Sequence, residues 1–261
     1  MLRGLWTAAS GMVTQQLTID VCANNLANVG TTGFKKSKNN FQDLMYQTMK
    51  MPGATNTAGT QTPVGIQVGM GVRASGVSKI YSQGDYVDTG NELDFAIEGK
   101  GFFKILSGDE ELYTRAGNFA LDSEGFLCTP NGERLQPEIS LPEETTTISL
   151  QSDGTLTAYG GTDGEVVATE EIVLYSFMNS AGLSSVGRNL LRATEASGEE
   201  IEGTPGSDGF GTVANMFLEM SNVSVVEEMV NMIVGQRAYE ATSKALQTAD
   251  SMLQMANQVK R

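Results

Sequence analysis

The chain has 261 residues, 40% of them hydrophobic and 18% charged, and a net charge of −14. That length supports one sizeable domain or two small ones. It contains no histidine, which removes the commonest general base, the commonest metal ligand and any Ser-His-Asp triad. The acidity is central: residues 85–205 hold 23 acids and 6 bases, whereas residues 1–40 hold four bases and one acid. Phosphate recognition needs clustered bases, and only Lys35, Lys36 and Lys38 stand together, so nucleic acid is not an expected partner.

The first element in chain order is a helix. Leu2, Leu5, Ala9, Met12, Gln16, Ile19, Ala23 and Leu26 recur in steps of three and four, and seven of these eight are apolar. This is a heptad seam sustained over more than three repeats, which Trp6, Val13 and Val21 widen. The helix is expected to stop near Asn28, with Gly30 and Gly33 just beyond. No apolar run approaches the ~20 residues of a membrane span. Thr14, Gln15 and Gln16 interrupt the stretch before a secretory signal core forms, so no cleaved signal is expected.

Residues 31–84 read as an extended connecting region. Within it, 46–72 is rich in Thr, Gly, Gln and Asn with Pro52 and Pro63, and reads as a long loop or irregular strand. The middle, 85–205, reads as a small antiparallel β domain. Apolar runs such as Phe95–Ile97, Gly101–Leu106, Thr147–Leu150 and Ile172–Tyr175 alternate with turn signals at Ser107-Gly, Asp122–Gly125, Asn131-Gly132, Asp153-Gly154 and Asp163-Gly164. Residues 206–221 are expected to return the chain. The second helix is expected over 224–258, opened by a Ser224-Val-Val-Glu227 capping box. Its seam runs Val225, Met229, Met232, Gln236, Tyr239, Thr242, Leu246, Ala249 and Leu253.

The fold class is therefore α+β. Helices at both ends, 1–30 and 222–261, form a coiled-coil-like inner domain, with the mainly antiparallel β domain inserted between them. Helices of this kind depend on a packing partner. One antiparallel pair leaves Trp6, Val13, Met229 and Ile233 off the seam, and exposed apolar surface marks an interaction site. The expected assembly surface comprises Leu2, Leu5, Trp6, Ala9, Met12, Ile19 and Leu26 with Val225, Met229, Met232, Ile233, Tyr239, Leu246 and Leu253.

Candidate chemistry is sparse. Gly99-Lys-Gly101 begins like a phosphate loop, but it lacks the third glycine and runs into Phe102 and Phe103. Asp122–Gly125 has the start of a calcium loop without its later bidentate acid, and reads better as a hairpin turn. Glu143-Glu144 and Glu170-Glu171 read as solvated faces rather than acid–base pairs. Lys35-Lys-Ser-Lys38 is either a solvated turn or a patch that pairs with acids on a neighbouring copy. Cys22 and Cys128 form no disulfide framework. No enzyme activity, cofactor, metal or small-molecule substrate is expected.

Three stretches carry a resemblance. Asn24-Asn25-Leu-Ala-Asn28 followed by Thr31-Thr-Gly33-Phe34-Lys35 resembles the N-terminal signature of bacterial flagellar rod and hook proteins. Ser221–Ser224, Glu228–Ile233 and Gln236-Arg237-Ala-Tyr-Glu-Ala241 resemble the matching C-terminal signature. Gly99–Phe103 and Tyr113–Phe119 resemble the family's central β domain. The segment from Tyr46 through Pro52, Gly53 and Pro63 to Val72 resembles the insertion of the family's distal-rod branch, linked there with a straight, stiff rod; the proximal-rod branch is the nearest rival. A secreted β-domain adhesin is the alternative outside the family, but it leaves the terminal seams without a role. The resemblance implies a helical homopolymer around a channel, a torque-transmitting drive shaft that crosses the periplasm to the outer membrane. It also implies export through the flagellar type III apparatus. The implied neighbours are proximal rod proteins, hook or hook-junction proteins and a surrounding ring bushing.

Overall fold

The computed structural model describes residues 2–53, 63–142, 144–161, 165–207 and 209–259. Glu143, the Asp163-Gly164 turn and the middle of the 46–63 insertion lie outside the described residues. The chain divides into two compact units. One comprises Met1–Leu26, Ser37–Ser78 and Ser224–Arg261; the other comprises Ala27–Lys36 and Lys79–Val223.

In the first unit, α1 spans Leu2–Ala27 and α2 spans Val225–Val259. Thr7, Ser10, Thr14 and Thr18 sit inside α1 without breaking it. Each hydroxyl donates to a carbonyl three or four residues earlier, so the buried Thr14 is satisfied by its own helix. The two helices meet along a line of small and polar residues. A Cβ on Gly11 would touch Thr242, one on Gly235 would touch Ile19, and Asn25 hydrogen-bonds Glu228. As one member of these pairs advances the other retreats, so the helices run antiparallel.

The same unit carries β1 (Ser37–Asp43), β2 (Tyr46–Lys50), β3 (Ile66–Gly69) and β4 (Val72–Lys79). β1 pairs with β4, and β2 pairs antiparallel with β3 in a register that joins Tyr46 to Gly69 and Lys50 to Ile66. The Leu44 amide donates to the Gly71 carbonyl and continues the ladder between the two pairs. The stretch 46–72, expected as a long loop or irregular strand, carries the paired strands β2 and β3. Its Thr and Gln side chains suppress the alternation by which strands are recognised, because both faces of the ribbon are solvated.

The second unit holds the remaining strands: β5 (Tyr86–Asp88), β6 (Phe95–Glu98), β7 (Phe103–Ser107), β8 (Glu110–Thr114), β9 (Ala120–Leu121), β10 (Leu127–Cys128), β11 (Arg134–Gln136), β12 (Thr145–Leu150), β13 (Thr155–Gly160), β14 (Glu165–Glu171), β15 (Leu174–Phe177), β16 (Ser184–Gly187), β17 (Leu190–Arg192), β18 (Glu200–Gly203), β19 (Thr212–Asn215) and β20 (Phe217–Glu219). A seven-stranded sheet runs β16-β17-β8-β7-β11-β10-β9, and β12-β13-β14 form a meander. β15 pairs with β18, β19 with β6, and β20 with β5, all antiparallel. Residues 206–221, expected to be a connector, therefore carry two strands that close the β unit, with Val213 buried in its core. These strands are short and interrupted by Met216 at positive φ, which hides them from a periodicity reading.

The β unit buries both faces of its large sheet. Phe103, Ile105 and Leu112 join Phe95, Ile97 and Leu156 in the main core. Phe102, Tyr113, Tyr175 and Phe177 form a second cluster on the other side. Adjacent Phe102 and Phe103 thus serve different cores, as the period of two along a strand requires.

Gly117 marks the tightest backbone approach. Phe95 donates its amide to the Gly117 carbonyl, and a Cβ at Gly117 would lie 1.6 Å from the Phe95 oxygen. Gly117→Ala is expected to cost about 1–3 kcal/mol of unfolding free energy in denaturant titration. Gly76→Ala, with nothing within 4 Å, should stay within about 0.5 kcal/mol.

Candidate functional site

The exposed faces of α1 and α2 carry large apolar residues. Trp6 is 75% exposed and Ile233 55%, with Val13, Val226, Val230 and Val234 also open to solvent. Among the seam residues expected from the sequence, Leu5, Ala9, Met12, Ile19, Leu26, Met232, Leu246 and Leu253 are partly covered within the single chain. Val225, Met229 and Tyr239 are exposed; the Leu2 side chain lies outside the described residues. Gln16 and Ala23, placed in the same seam, point to solvent. The helix contact line runs through Gly11 with Thr242, Ile19 with Gly235, and Asn25 with Glu228, so the expected seam residues Ile19 and Thr242 lie on it beside glycines and polar residues that no apolar pattern selects.

Asn25 is the anchor of that line and is 1% exposed. Its side-chain amide donates to the Ser37 carbonyl at 2.9 Å and its oxygen accepts from the Ser37 amide at 2.9 Å. It thereby acts as a short strand partner to the first residue of β1. It also donates to Glu228 Oε2 at 3.2 Å. Cys22 lies beside the same carboxylate: burial, then the hydrogen bond and charge of Glu228, push its thiol up to about 11. Both cysteines are free thiols. Among the other signature residues, Asn28 accepts from the Thr31 hydroxyl, and Arg237 forms an exposed ion pair with Glu240. Asn24 and Gln236 are exposed.

The signature residues of the β unit converge on Glu219, which is 2% exposed. Its carboxylate takes Lys35 Nζ at 2.5 Å, Arg115 Nε at 2.6 Å and the Gly84 amide at 3.0 Å. Lys35 also donates to the Ser82 carbonyl. Burial lowers the Lys35 pKa, and the Glu219 bond works against that shift. Lys35, expected in a solvated turn or against a neighbouring copy, is instead buried against its own chain, because Glu219, 184 positions further on, folds back upon it.

Arg115 explains the glycine loop. Its guanidinium donates to the carbonyls of Ile97, Gly99 and Gly101. The loop is thus a cradle of acceptors for a cation, the inverse of a phosphate loop, which presents amide donors. Gly99 and Gly101 hold φ of 110° and 144°, where side chains are strained. Gly33 belongs to the same construction and is not a helix stop. Its amide donates to the Glu219 carbonyl, and a Cβ would lie 2.6 Å from the Ala116 nitrogen. Phe34 lies under the Lys79 ammonium.

The hairpin presents the second apolar surface. Met45 is 85% exposed and Met51 70%, with Tyr46, Met49, Val64 and Ile66 also exposed. Pro52 packs over Gly65, Gly53 turns at φ 80°, and Pro63 is exposed. Between α1, α2 and the base of this hairpin lies a groove of about 1420 Å³, lined by Gly4, Ala8, Gly11, Ala241 and Ala245 opposite Val68–Val72.

Removing one member of a buried ion cluster strands the others. Glu219→Gln should therefore cost about 3–5 kcal/mol in denaturant unfolding of the full chain. Arg237→Gln, at an exposed pair, should cost less than about 1 kcal/mol.

Three family models match in chain order. Residues 5–35 match the flagella basal body rod protein, 96–158 the D1 domain of the flagellar hook protein FlgE/F/G, and 214–259 the C-terminal part of the flagellar basal body rod FlgEFG protein. The flagellar basal-body rod protein FlgG of Borreliella burgdorferi is 48% identical across the whole of both chains. That of Caulobacter vibrioides is 41% identical over 99% of this chain and all of the relative. The flagellar hook protein FlgE of Treponema pallidum is 41% identical over 52% of this chain but only 29% of its own length. The chain belongs to the flagellar basal-body rod family, in its distal-rod branch, and is a structural subunit of the flagellar rod.

Proposed function

We propose that copies of this chain polymerise helically into a rigid hollow shaft that transmits torque from motor to hook. The apolar faces of α1 and α2 are the surfaces through which copies meet, and these helices line the channel. The observation that carries this reading is the exposure of Trp6, Val13, Ile233 and Val234 on helices whose mutual contact runs through Gly11 with Thr242, Ile19 with Gly235, and Asn25 with Glu228. Apolar area is worth about 25 cal/mol per Å² when removed from water. Two helices that leave this much uncovered are suited to partners.

In this reading Leu2, Leu5, Trp6, Ala9, Met12, Ile19 and Leu26 of α1 work with Val225, Met229, Met232, Ile233, Tyr239, Leu246 and Leu253 of α2. The hairpin segment with Tyr46, Pro52, Gly53 and Pro63 braces neighbouring copies and keeps the shaft straight. The exposed carboxylates of the β unit, Glu144, Glu170 and Glu171 among them, keep its surface from adhering to the surrounding ring bushing. The shaft stands on proximal rod proteins, meets hook or hook-junction proteins, and crosses the periplasm to the outer membrane. Subunits reach it through the flagellar type III apparatus without a cleaved signal. The protein works by packing and performs no catalysis.

Ile233→Asp places a charge on the proposed contact face. The variant should unfold within about 0.5 kcal/mol of the parent, since Ile233 is exposed in the single chain. It should nevertheless form no polymer under the electron microscope and restore no motility. Ordered polymer from this variant would contradict the reading. Deleting residues 46–63 should give curved or flexible rods; rods as straight as the parent's would refute the bracing role.

A further inference from the structure

Charge is divided unevenly between the two units. The unit of α1 and α2 carries 8 bases and 6 acids, whereas the β unit carries 9 bases and 25 acids. The net charge of −14 therefore comes entirely from the β unit. The unit that exposes Trp6, Ile233 and Val234 is close to neutral.

Most bases of the β unit are already committed. Six of the nine, Lys35, Lys104, Arg115, Arg134, Arg188 and Arg192, are paired with carboxylates of the same unit. Glu138, Glu144, Glu165, Glu170, Glu171 and Glu195 are exposed, and among the described residues no ion pair holds any of them. Three of these stand on β14 and three lie between strands, so the charge is spread over the unit rather than gathered at one ion site.

Two drives oppose each other when copies meet. Covering the apolar helix faces favours association. Bringing one charge of −14 against another opposes it, because a net charge far from zero keeps chains apart. That repulsion reaches about 30 Å in 0.01 M salt and about 10 Å in 0.1 M. Apolar contact acts only at touching distance in either. We propose that the surface charge of the β unit is an assembly brake, which holds copies apart in dilute salt and releases them as ionic strength rises. The brake rests on the reading that copies polymerise, and it adds what sets the threshold.

The test measures, by sedimentation and light scattering, the lowest concentration at which the full chain polymerises. That threshold should fall about tenfold between 0.01 M and 0.1 M salt. Sodium chloride and sodium thiocyanate should lower it alike, because screening depends on ionic strength, whereas their effects on apolar association differ. A variant with Glu138→Gln, Glu144→Gln, Glu165→Gln, Glu170→Gln, Glu171→Gln and Glu195→Gln should polymerise in 0.01 M salt at the concentration the parent needs in 0.1 M. The two salts on the unsubstituted chain decide the matter even if the variant folds poorly. A threshold that ignores salt, opposite responses to chloride and thiocyanate, or a folded variant with the parent's salt dependence would overturn the brake alone. Polymer in no salt, from either chain, would overturn the polymer reading and the brake with it.

Discussion

How the two terminal helices meet decides which of their residues stay open to water. Gly11 and Gly235 let α1 and α2 approach closely, and Asn25 with Glu228 fixes their register by hydrogen bonding. Ile19 lies on the contact line, and Leu5, Met12, Leu246 and Leu253 are partly covered, while Trp6, Ile233 and Val234 stand open to water. In the proposed reading, other copies of the chain cover these exposed residues.

The β unit answers a different demand. A subunit that bears torque needs a body that does not deform, and its β unit is tied by bonds that span long stretches of sequence. Glu219 joins Lys35, 184 residues away, and Arg115, 104 residues away. Arg115 in turn gathers the carbonyls of the Gly99–Gly101 loop. The N-terminal signature residue Lys35, the central signature residue Arg115 and Glu219, just before the C-terminal signature, therefore share one buried cluster. Such a cluster contributes little net stability over an apolar replacement, but its loss is costly and its geometry is demanding. Its value here is in holding distant segments to one arrangement.

Much of the architecture was legible in the sequence, for physical reasons that differ by element. The helices declared themselves through steps of three and four, and the hairpins of the β unit through Gly with Asp, Asn or Ser. The helix pairing was legible only in part: Ile19 and Thr242 belong to the expected seam and lie on the contact, whereas Gly235, Glu228 and Asn25 carry no apolar signal. The Lys35–Glu219–Arg115 cluster was hidden by separation along the chain. Lys35 in particular looked solvated because its sequence neighbours Lys36 and Lys38 are charged. The hairpin at β2 and β3 was masked by the shortness of its strands and by Gln47, Thr48 and Gln67 among its apolar residues.

One residue reports directly on the central claim. Trp6 is the only tryptophan of the chain and is 75% exposed in the single copy. Its fluorescence, followed with acrylamide as quencher before and after polymerisation, tests whether the outward flank of α1 is the surface that copies share. The account predicts a blue shift and a loss of quencher access in the polymer. Emission and quenching that stay the same as in the free subunit would place that flank away from any neighbour and contradict it.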